Sequence, residues 1–308
     1  MHVAAPPARK RVDDRSAMRL ALVVAAAHAV NDTYASFVPP LLPRIMGDLG
    51  LSITLAATLS VAFSVAAALP QPLFGYLADR YGRRPFAVAG PVVAGVGVAA
   101  IGWAPGFWPL VGLLVLGGIG SAAFHPPGAS YAVRVSAGKG GGARYSIFSF
   151  GGSVGFALGP VIAVGLVQSR GMEGLWVAMI PVLFLAPFVY LALPSGRREV
   201  RERNRPPPAS PAAVLRQLRG PLGLIFGVSA IMAFIQRTFL TMEPIIVAER
   251  GGSEALGALA LTVYLSAQAF GTVTGGVLAD RVDRRKLLAS PLWVSPASWA
   301  WRLSRRRW

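Results

Sequence analysis

The chain has 308 residues, of which 54% are hydrophobic and only 14% charged, with a formal net charge of +17. It has no cysteine, which excludes a disulfide framework and thiolate metal sites, and only three histidines (His2, His28 and His125), which argues against a metal centre. The charge would fit a nucleic-acid binder if it lay along one face of a folded domain, but the lysines and arginines fall between long apolar runs instead.

A bilayer core of about 30 Å needs about 20 apolar residues in helical form. Eight segments meet that requirement: 19–43, 54–77, 86–104, 108–131, 145–168, 174–193, 221–247 and 255–278. The expected fold is therefore an all-α membrane bundle of about eight transmembrane helices. Most of these spans contain Gly or Pro, which membrane helices tolerate when neighbours satisfy the freed backbone groups. Spans three and four are divided only by Ala104–Phe107, where Pro105-Gly106 marks a turn. Alternate loops hold 22 basic residues, among them Arg9, Arg80, Arg83, Arg84, Arg144, Arg203 and Arg285. The opposite loops hold three: Arg44, Arg170 and Arg250. By the positive-inside rule the N-terminus faces the cytoplasm, and a multi-pass protein of the plasma (inner) membrane is expected.

One phrase occurs twice. Residues 75–84 read GYLADRYGRR and residues 276–285 read GVLADRVDRR, an offset of 201 residues. The same offset pairs Pro43 with Pro244, Gly50 with Gly251 and Ser52 with Ser253. Spans seven and eight thus repeat spans one and two, the mark of a membrane domain built from similar halves. The organisation read from this is a basic cytoplasmic N-terminus (1–18), a six-helix half (19–193), a basic linker with a triple proline (194–220), two helices of a second half (221–288) and an aberrant tail (289–308). Four of the seven tryptophans lie in the last sixteen residues, where no stretch is long enough to span. Two readings stand for that tail: a natural interfacial end, or a truncated or frameshifted one that has lost up to four helices.

Charges inside the spans mark candidate sites, because an ionisable group at bilayer depth costs at least about 2.5–3.5 kcal/mol. Asp32 lies about 20 Å along span one, near the midplane. His28 lies one turn earlier, at i−4, and Asn31 lies at i+3 from His28, so the three can share one polar face. The three are candidates for a substrate or proton pathway, with Asp32 loading and unloading the proton; the alternative is an interhelical hydrogen bond that holds span one in place. His125 precedes Pro126 and Pro127 in span four, where the prolines break the backbone ladder, so it is either a binding group or part of a kink. Arg237 in span seven either pairs with Asp32 or holds an anionic substrate. Glu243 sits nearer a membrane face, as a rim residue. Gly151, Gly155 and Gly159, followed by Pro160, line one face of span five for close helix packing. No GxxxxGK[ST] phosphate loop is present, so the chain encodes no ATP-driven transport, and no nucleophile and base constellation points to an enzyme.

The duplicated GxLADRxxRR phrase resembles the cytoplasmic signature of the major facilitator superfamily. Three stretches resemble its fosmidomycin-resistance branch: AAAHAVNDTYASFVPPLLP (25–43), GIGSAAFHPPGAS (118–130) and SFGGSVGFALGP (149–160). Members of the family carry twelve helices, about four more than this chain offers. The resemblance implies a secondary transporter whose halves rock about a central site, with no cofactor and the proton gradient as energy source. It implies drug efflux by antiport, a fosmidomycin-like phosphonate being one substrate class. An uptake symporter for a small organic anion and a non-functional fragment are the rival readings. It also implies that Asp79 with Arg80, Arg83 and Arg84, and Asp280 with Arg281, latch one conformation of the bundle, Asp283 being a departure in the second copy. Simple positive-inside anchoring explains the arginines equally well. The expected partners are the lipid bilayer and a small-molecule substrate, with no nucleic acid, and a monomer is the default expectation.

Overall fold

The computed structural model describes residues 14–136, 141–194 and 220–279. They are helical throughout: α1 (Asp14–Ala35), α2 (Val38–Leu49), α3 (Ile53–Ala68), α4 (Gln71–Tyr81), α5 (Arg83–Ala99), α6 (Phe107–Val135), α7 (Gly141–Arg170), α8 (Met179–Ala192), α9 (Pro221–Glu249) and α10 (Glu254–Ala279). A 3₁₀ turn, Ala100–Trp103, extends α5, and another, Met172–Ala178, leads into α8. Six spans are long and apolar enough to cross a membrane: Ile53–Tyr81, Arg83–Trp103, Phe107–Val135, Arg144–Arg170, Met172–Ala192 and Phe226–Glu249. With the α1–α2 pair and α10 this is the bundle of about eight helices expected from the sequence. By contacts, residues up to Leu265 form one unit, and the second, from Ser266, contains among the described residues only the last part of α10.

Three expectations about continuity need correction. Span one is not a single helix over 19–43. It begins at Asp14, breaks at Ser36–Phe37 and resumes to Leu49. The break has a local cause. Pro39 and Pro40 lack the N–H groups that would bond the carbonyls of Ala35 and Ser36, and their rings crowd those carbonyls. Ser36 Oγ turns back to the Thr33 carbonyl (3.1 Å) and so occupies one acceptor left by the interruption. Span two is likewise two helices, broken at Leu69–Pro70, because Pro70 cannot bond Ala66. Pro126 and Pro127 do not break span four: α6 runs on through both.

The repeat of 201 residues is present in the backbone. Gly50 ends α2 with φ +61°, and its counterpart Gly251 comes just after α9 with φ +80°. Both positions are left-handed, where glycine alone carries no Cβ penalty. Leu51 N–H donates to the Met46 carbonyl (3.0 Å), and Gly252 N–H to the Val247 carbonyl (2.8 Å), the same closing bond in each copy. Ser52 Oγ then accepts from Leu55 N–H (3.3 Å) to cap α3, as Ser253 Oγ accepts from Leu256 N–H (3.2 Å) to cap α10.

One extensive and close seam joins α1 to α7. A Cβ added at Gly151 would press on the Ala25 carbonyl, at Gly155 on the Ala29 carbonyl, and at Gly159 on Ser36 and the Thr33 carbonyl. The stripe read from the sequence is therefore a contact of backbone against backbone. Beside it, Phe37, Leu41, Leu42, Leu59, Leu114 and Leu175 are fully buried in one apolar core. Tyr34, in the same core, donates to the Ala178 carbonyl (2.6 Å) and ties α1 to the turn before α8. Outward faces are apolar as well: Phe184 is 70%, Phe234 74% and Leu191 78% exposed. Each such side chain left in water forgoes about 1.5–3 kcal/mol of burial, so these faces suit hydrocarbon.

Ion pairs close the ends of the bundle. Arg144, read from the sequence as a loop residue, is buried. It donates to Asp14 Oδ1 (2.6 Å) and to the Val135 carbonyl (3.0 Å), joining the start of α7 to α1 and to the end of α6. Near the end of α2, Arg44 pairs with Glu254 of α10: Nη2 donates to Oε2 at 3.1 Å, and Nε lies 2.9 Å from Oε1. This ion pair links the first half to the repeat helices.

Gly155→Ala is expected to destabilise the protein by about 1–3 kcal/mol, because the new methyl meets backbone rather than a movable side chain. Gly165 of the same helix has open space around its Cβ position, so Gly165→Ala should be neutral or stabilising by about 0.5–1 kcal/mol. Thermal unfolding in detergent, monitored by tryptophan fluorescence, checks both; equal melting temperatures for the two variants would contradict the seam. For the pair of Arg44 and Glu254, a double-mutant cycle with Arg44→Gln and Glu254→Gln should return a coupling of about 0.5–1 kcal/mol, the modest range of partly exposed pairs.

Candidate functional site

The polar centre is assembled by α1 and α6, with α7 as its wall. Helical spacing stacks His28 and Asp32 on one face of α1, and the two are in contact: His28 Nε2 lies 3.1 Å from Asp32 Oδ2. The second carboxylate oxygen, Oδ1, lies 3.3 Å from His125 Nε2 on α6. Asp32 is thus gripped between two imidazoles from different helices. Asn31, completely buried, donates from Nδ2 both to Asp32 Oδ1 (3.0 Å) and to Ser121 Oγ of α6 (3.1 Å). It fixes the carboxylate and stitches α1 to α6 at once.

Each imidazole is held by its other nitrogen. His28 Nδ1 lies 2.9 Å from the Phe148 carbonyl, and His125 Nδ1 lies 2.8 Å from the Ser121 carbonyl. A carbonyl only accepts, so in both rings Nδ1 carries the hydrogen and donates it. The His125 bond reaches the Ser121 carbonyl rather than those of Ala122 and Ala123, which the two prolines leave without helical partners. The His28 ring stacks on Phe148 with centroids 4.2 Å apart and an interplanar angle of 20°, and meets His125 edge-on at 5.4 Å. Gly152 supplies the room: a Cβ there would come within 2.6 Å of His28 Nε2. The sequence reading missed Phe148, Ser121 and Gly152. Gly152 carried a signal, since it sits beside the packing glycines but one residue off their stripe.

Fixing Nδ1–H in both rings has a chemical consequence. The neutral form of each ring then presents a lone pair at Nε2, aimed at a carboxylate oxygen that also carries lone pairs. Neither contact is attractive until a cation lies between nitrogen and oxygen. The side chains of His28, Asp32 and His125 keep 12%, 18% and 31% of their surface exposed, so the cluster is reachable by small species while Asn31 behind it is sealed.

The remaining candidates lie elsewhere. Arg237 on α9 is not in ion-pair contact with Asp32. It lies over the Phe156 ring, 5.6 Å from the centroid. Glu243 is half-buried. At the end of α4, Asp79 pairs with Arg83 (3.0 Å), and Arg80 donates to Tyr76 Oη (3.1 Å). Arg84 lies over the Tyr190 ring at 3.6 Å and donates to the Tyr190 carbonyl, bracing α5 against α8. The second copy of this motif, Asp280 and Arg281, lies outside the described residues, as do the linker 195–219 and the tail 289–308.

Comparison with known proteins gives a consistent family. Residues 24–292 match the model of the Major Facilitator Superfamily. The fosmidomycin resistance protein of Escherichia coli (strain K12) is 27% identical over 281 residues, which cover 89% of this chain and 68% of that protein. Among solved structures, a bacterial homologue of the human lysosomal transporter Spinster, inward-facing and unoccupied, superposes with a TM-score of 0.70 at 19% identity, over 89% of this chain and 64% of that one. A D-xylose-proton symporter superposes with a TM-score of 0.60 at 18% identity, over 87% of this chain and 69% of that one. The chain thus spans about two thirds of the length of these proteins. With a family match over most of its residues and the helical bundle of the same transporters, it belongs to the Major Facilitator Superfamily, a family of multi-pass membrane transporters and not of enzymes.

Proposed function

We propose that this transporter moves a small molecule outward across the plasma membrane in exchange for protons. The observation that carries this reading is the carboxylate of Asp32 held between the Nε2 atoms of His28 and His125. Charge at bilayer depth is retained where it has work to do, and proton relays of transporters are built from such Asp and His groups. Because both rings spend their Nδ1–H on backbone carbonyls, every proton that enters the cluster is held on the Nε2···O lines between Asp32 and the rings. Asp32 is the proton carrier, His28 and His125 share its proton, and Asn31 sets the orientation of the carboxylate. No cofactor is required, since the proton gradient supplies the energy.

Direction and substrate rest on the relatives. A fosmidomycin resistance protein protects its cell, and export is the simplest way for a membrane transporter to do so. A phosphonate drug is accordingly the first substrate class to try. The excess of basic residues in alternate loops supports an N-terminus in the cytoplasm, with the Asp79–Arg84 motif on the same side as the latch of one conformation. A second reading, uptake of a small organic anion with a proton, is favoured by Arg237. Its side chain is exposed on the surface of the described bundle and makes no ion pair among the described residues, which leaves its guanidinium available to an anion.

Reconstitution in vesicles under an imposed pH gradient distinguishes the two by the direction of net flux. Asp32→Asn is expected to abolish uphill transport, with a loss of at least about 100-fold, while substrate exchange without a gradient continues. Uphill transport at the parent rate by Asp32→Asn would remove Asp32 from the coupling mechanism. Arg237→Gln separates the substrate readings: weaker binding of anionic but not neutral substrates supports the anion route.

A further inference from the structure

The low histidine count argued against a metal centre, yet the fold gathers two of the three histidines around a carboxylate. One ligand atom from each of His28, Asp32 and His125 lies within 4.8 Å of the other two. We infer that this cluster is also a binding site for a divalent transition-metal ion, with two imidazoles and one carboxylate as ligands. The inference concerns binding alone and stands whether or not the chain transports anything.

Three observations carry it. The first is spacing. Metal–nitrogen and metal–oxygen bonds of about 2.0–2.1 Å at a tetrahedral angle separate neighbouring ligand atoms by about 3.3 Å. His28 Nε2 lies 3.1 Å from Oδ2 and His125 Nε2 3.3 Å from Oδ1, so each ring stands at about this separation from one oxygen of the shared carboxylate. A dication fits once the ligand atoms, which lie within 4.8 Å of one another, draw in toward it. The second is the support around the ligands. Metal-binding imidazoles nearly always donate their other N–H to a carbonyl or carboxylate, which fixes tautomer and ring direction. Here the Phe148 and Ser121 carbonyls do this for both rings, and Asn31 Nδ2 does the equivalent for the carboxylate. The third is charge. Two neutral nitrogens and one anion converge where lone pairs face lone pairs, so the electrostatic need is for a cation.

Ligand chemistry selects the class of ion. Two imidazoles and one carboxylate suit zinc, cobalt, nickel or iron(II), whereas magnesium and calcium prefer oxygen alone. The partial exposure of His125 leaves an approach for the ion and a place for water to complete its coordination. All three ligands come from α1 and α6, so the site is complete within this chain. A bound dication occupies the same lone pairs that would hold protons, so metal and proton exclude each other.

The test uses the tag-free chain purified in detergent and titrated with Co²⁺, whose ligand-field absorption reports coordination geometry. The absence of cysteine removes thiolate competition, and His2 is the single other imidazole. Saturable, equimolar binding with a tetrahedral or five-coordinate spectrum is expected, displaced by Zn²⁺. Asp32→Asn and His125→Gln should each weaken it about 100-fold, while His2→Ala leaves it unchanged. Circular dichroism and gel filtration verify that the variants are folded. No saturable binding by the folded parent, or binding that responds to His2→Ala and not to the cluster variants, would overturn the inference. If Co²⁺ fails to bind but Asp32→Asn still abolishes uphill flux, the metal site falls and the proton reading stands.

Discussion

The close approach of α1 to α7 is the constraint on which the polar centre depends. In lipid there is no hydrophobic drive between helices, so close association depends on van der Waals contact and on polar groups that meet. Gly151, Gly155 and Gly159 remove every side chain from one stripe of α7 and let its backbone rest on the Ala25, Ala29 and Thr33 carbonyls of α1. That depth and register decide where the neighbouring groups fall. Phe148 lies one turn before Gly151, so its carbonyl reaches His28 Nδ1, and its ring forms the floor under the imidazole. Gly152 leaves the hollow that the ring fills. A slip of one turn, about 5.4 Å, would carry the Phe148 carbonyl away from the ring and leave His28 free to turn from Asp32.

Much of the scaffold was legible because its causes are local. Apolar length marked the spans, and the offset of 201 residues marked the repeat. Its Gly50 and Gly251, Ser52 and Ser253 prove to be working parts: each pair closes one helix and opens the next with matching hydrogen bonds. The contact of His28 with Asp32 also comes directly from spacing on one helix. The breaks at Ser36–Phe37 and Leu69–Pro70 were written in the prolines beside them, yet a count of apolar residues passes over them. Pro126 and Pro127 read as a break of the ladder, yet α6 runs on through both, packed on α5, α3 and α1.

What local spacing could not give is the meeting of α1 with α6. His125 and Ser121 reach Asp32 and Asn31 only through the packing of two helices far apart in sequence, and that packing depends on small residues of α5 and α6 as well. Gly90, Gly97, Gly117 and Gly120 have backbone, or a neighbouring valine, where a Cβ would sit, so this seam is as close as the one with α7. Arg144 illustrates the same limit. In the sequence it is one more basic loop residue. In the fold it is buried between Asp14 and the Val135 carbonyl, as an anchor. Arg237 errs the other way: the repeat places its helix opposite α1, but its side chain settles over Phe156 instead of meeting Asp32.

The charge of the Asp32 cluster connects these local facts to motion. His28, Asn31, Asp32, Ser121 and His125 all belong to the first six helices, so loading a cation changes no partner across the two halves. On the proposed reading its effect on the second half travels as field, and Arg237 on α9 is one charged group there that faces the first half over Phe156. An unloaded cluster is anionic and attracts Arg237. Loading one cation of unit charge cancels that attraction, and loading a dication reverses it. At low effective dielectric such a change is worth several kcal/mol at contact distances and falls with separation. The sign is what matters for a rocking mechanism: occupation of the cluster weakens the pull between α1 and α9, while the pair of Arg44 and Glu254 holds the same halves at their rim. On the proposed reading, a cation at Asp32 thus acts on the balance between the halves without rearranging either one.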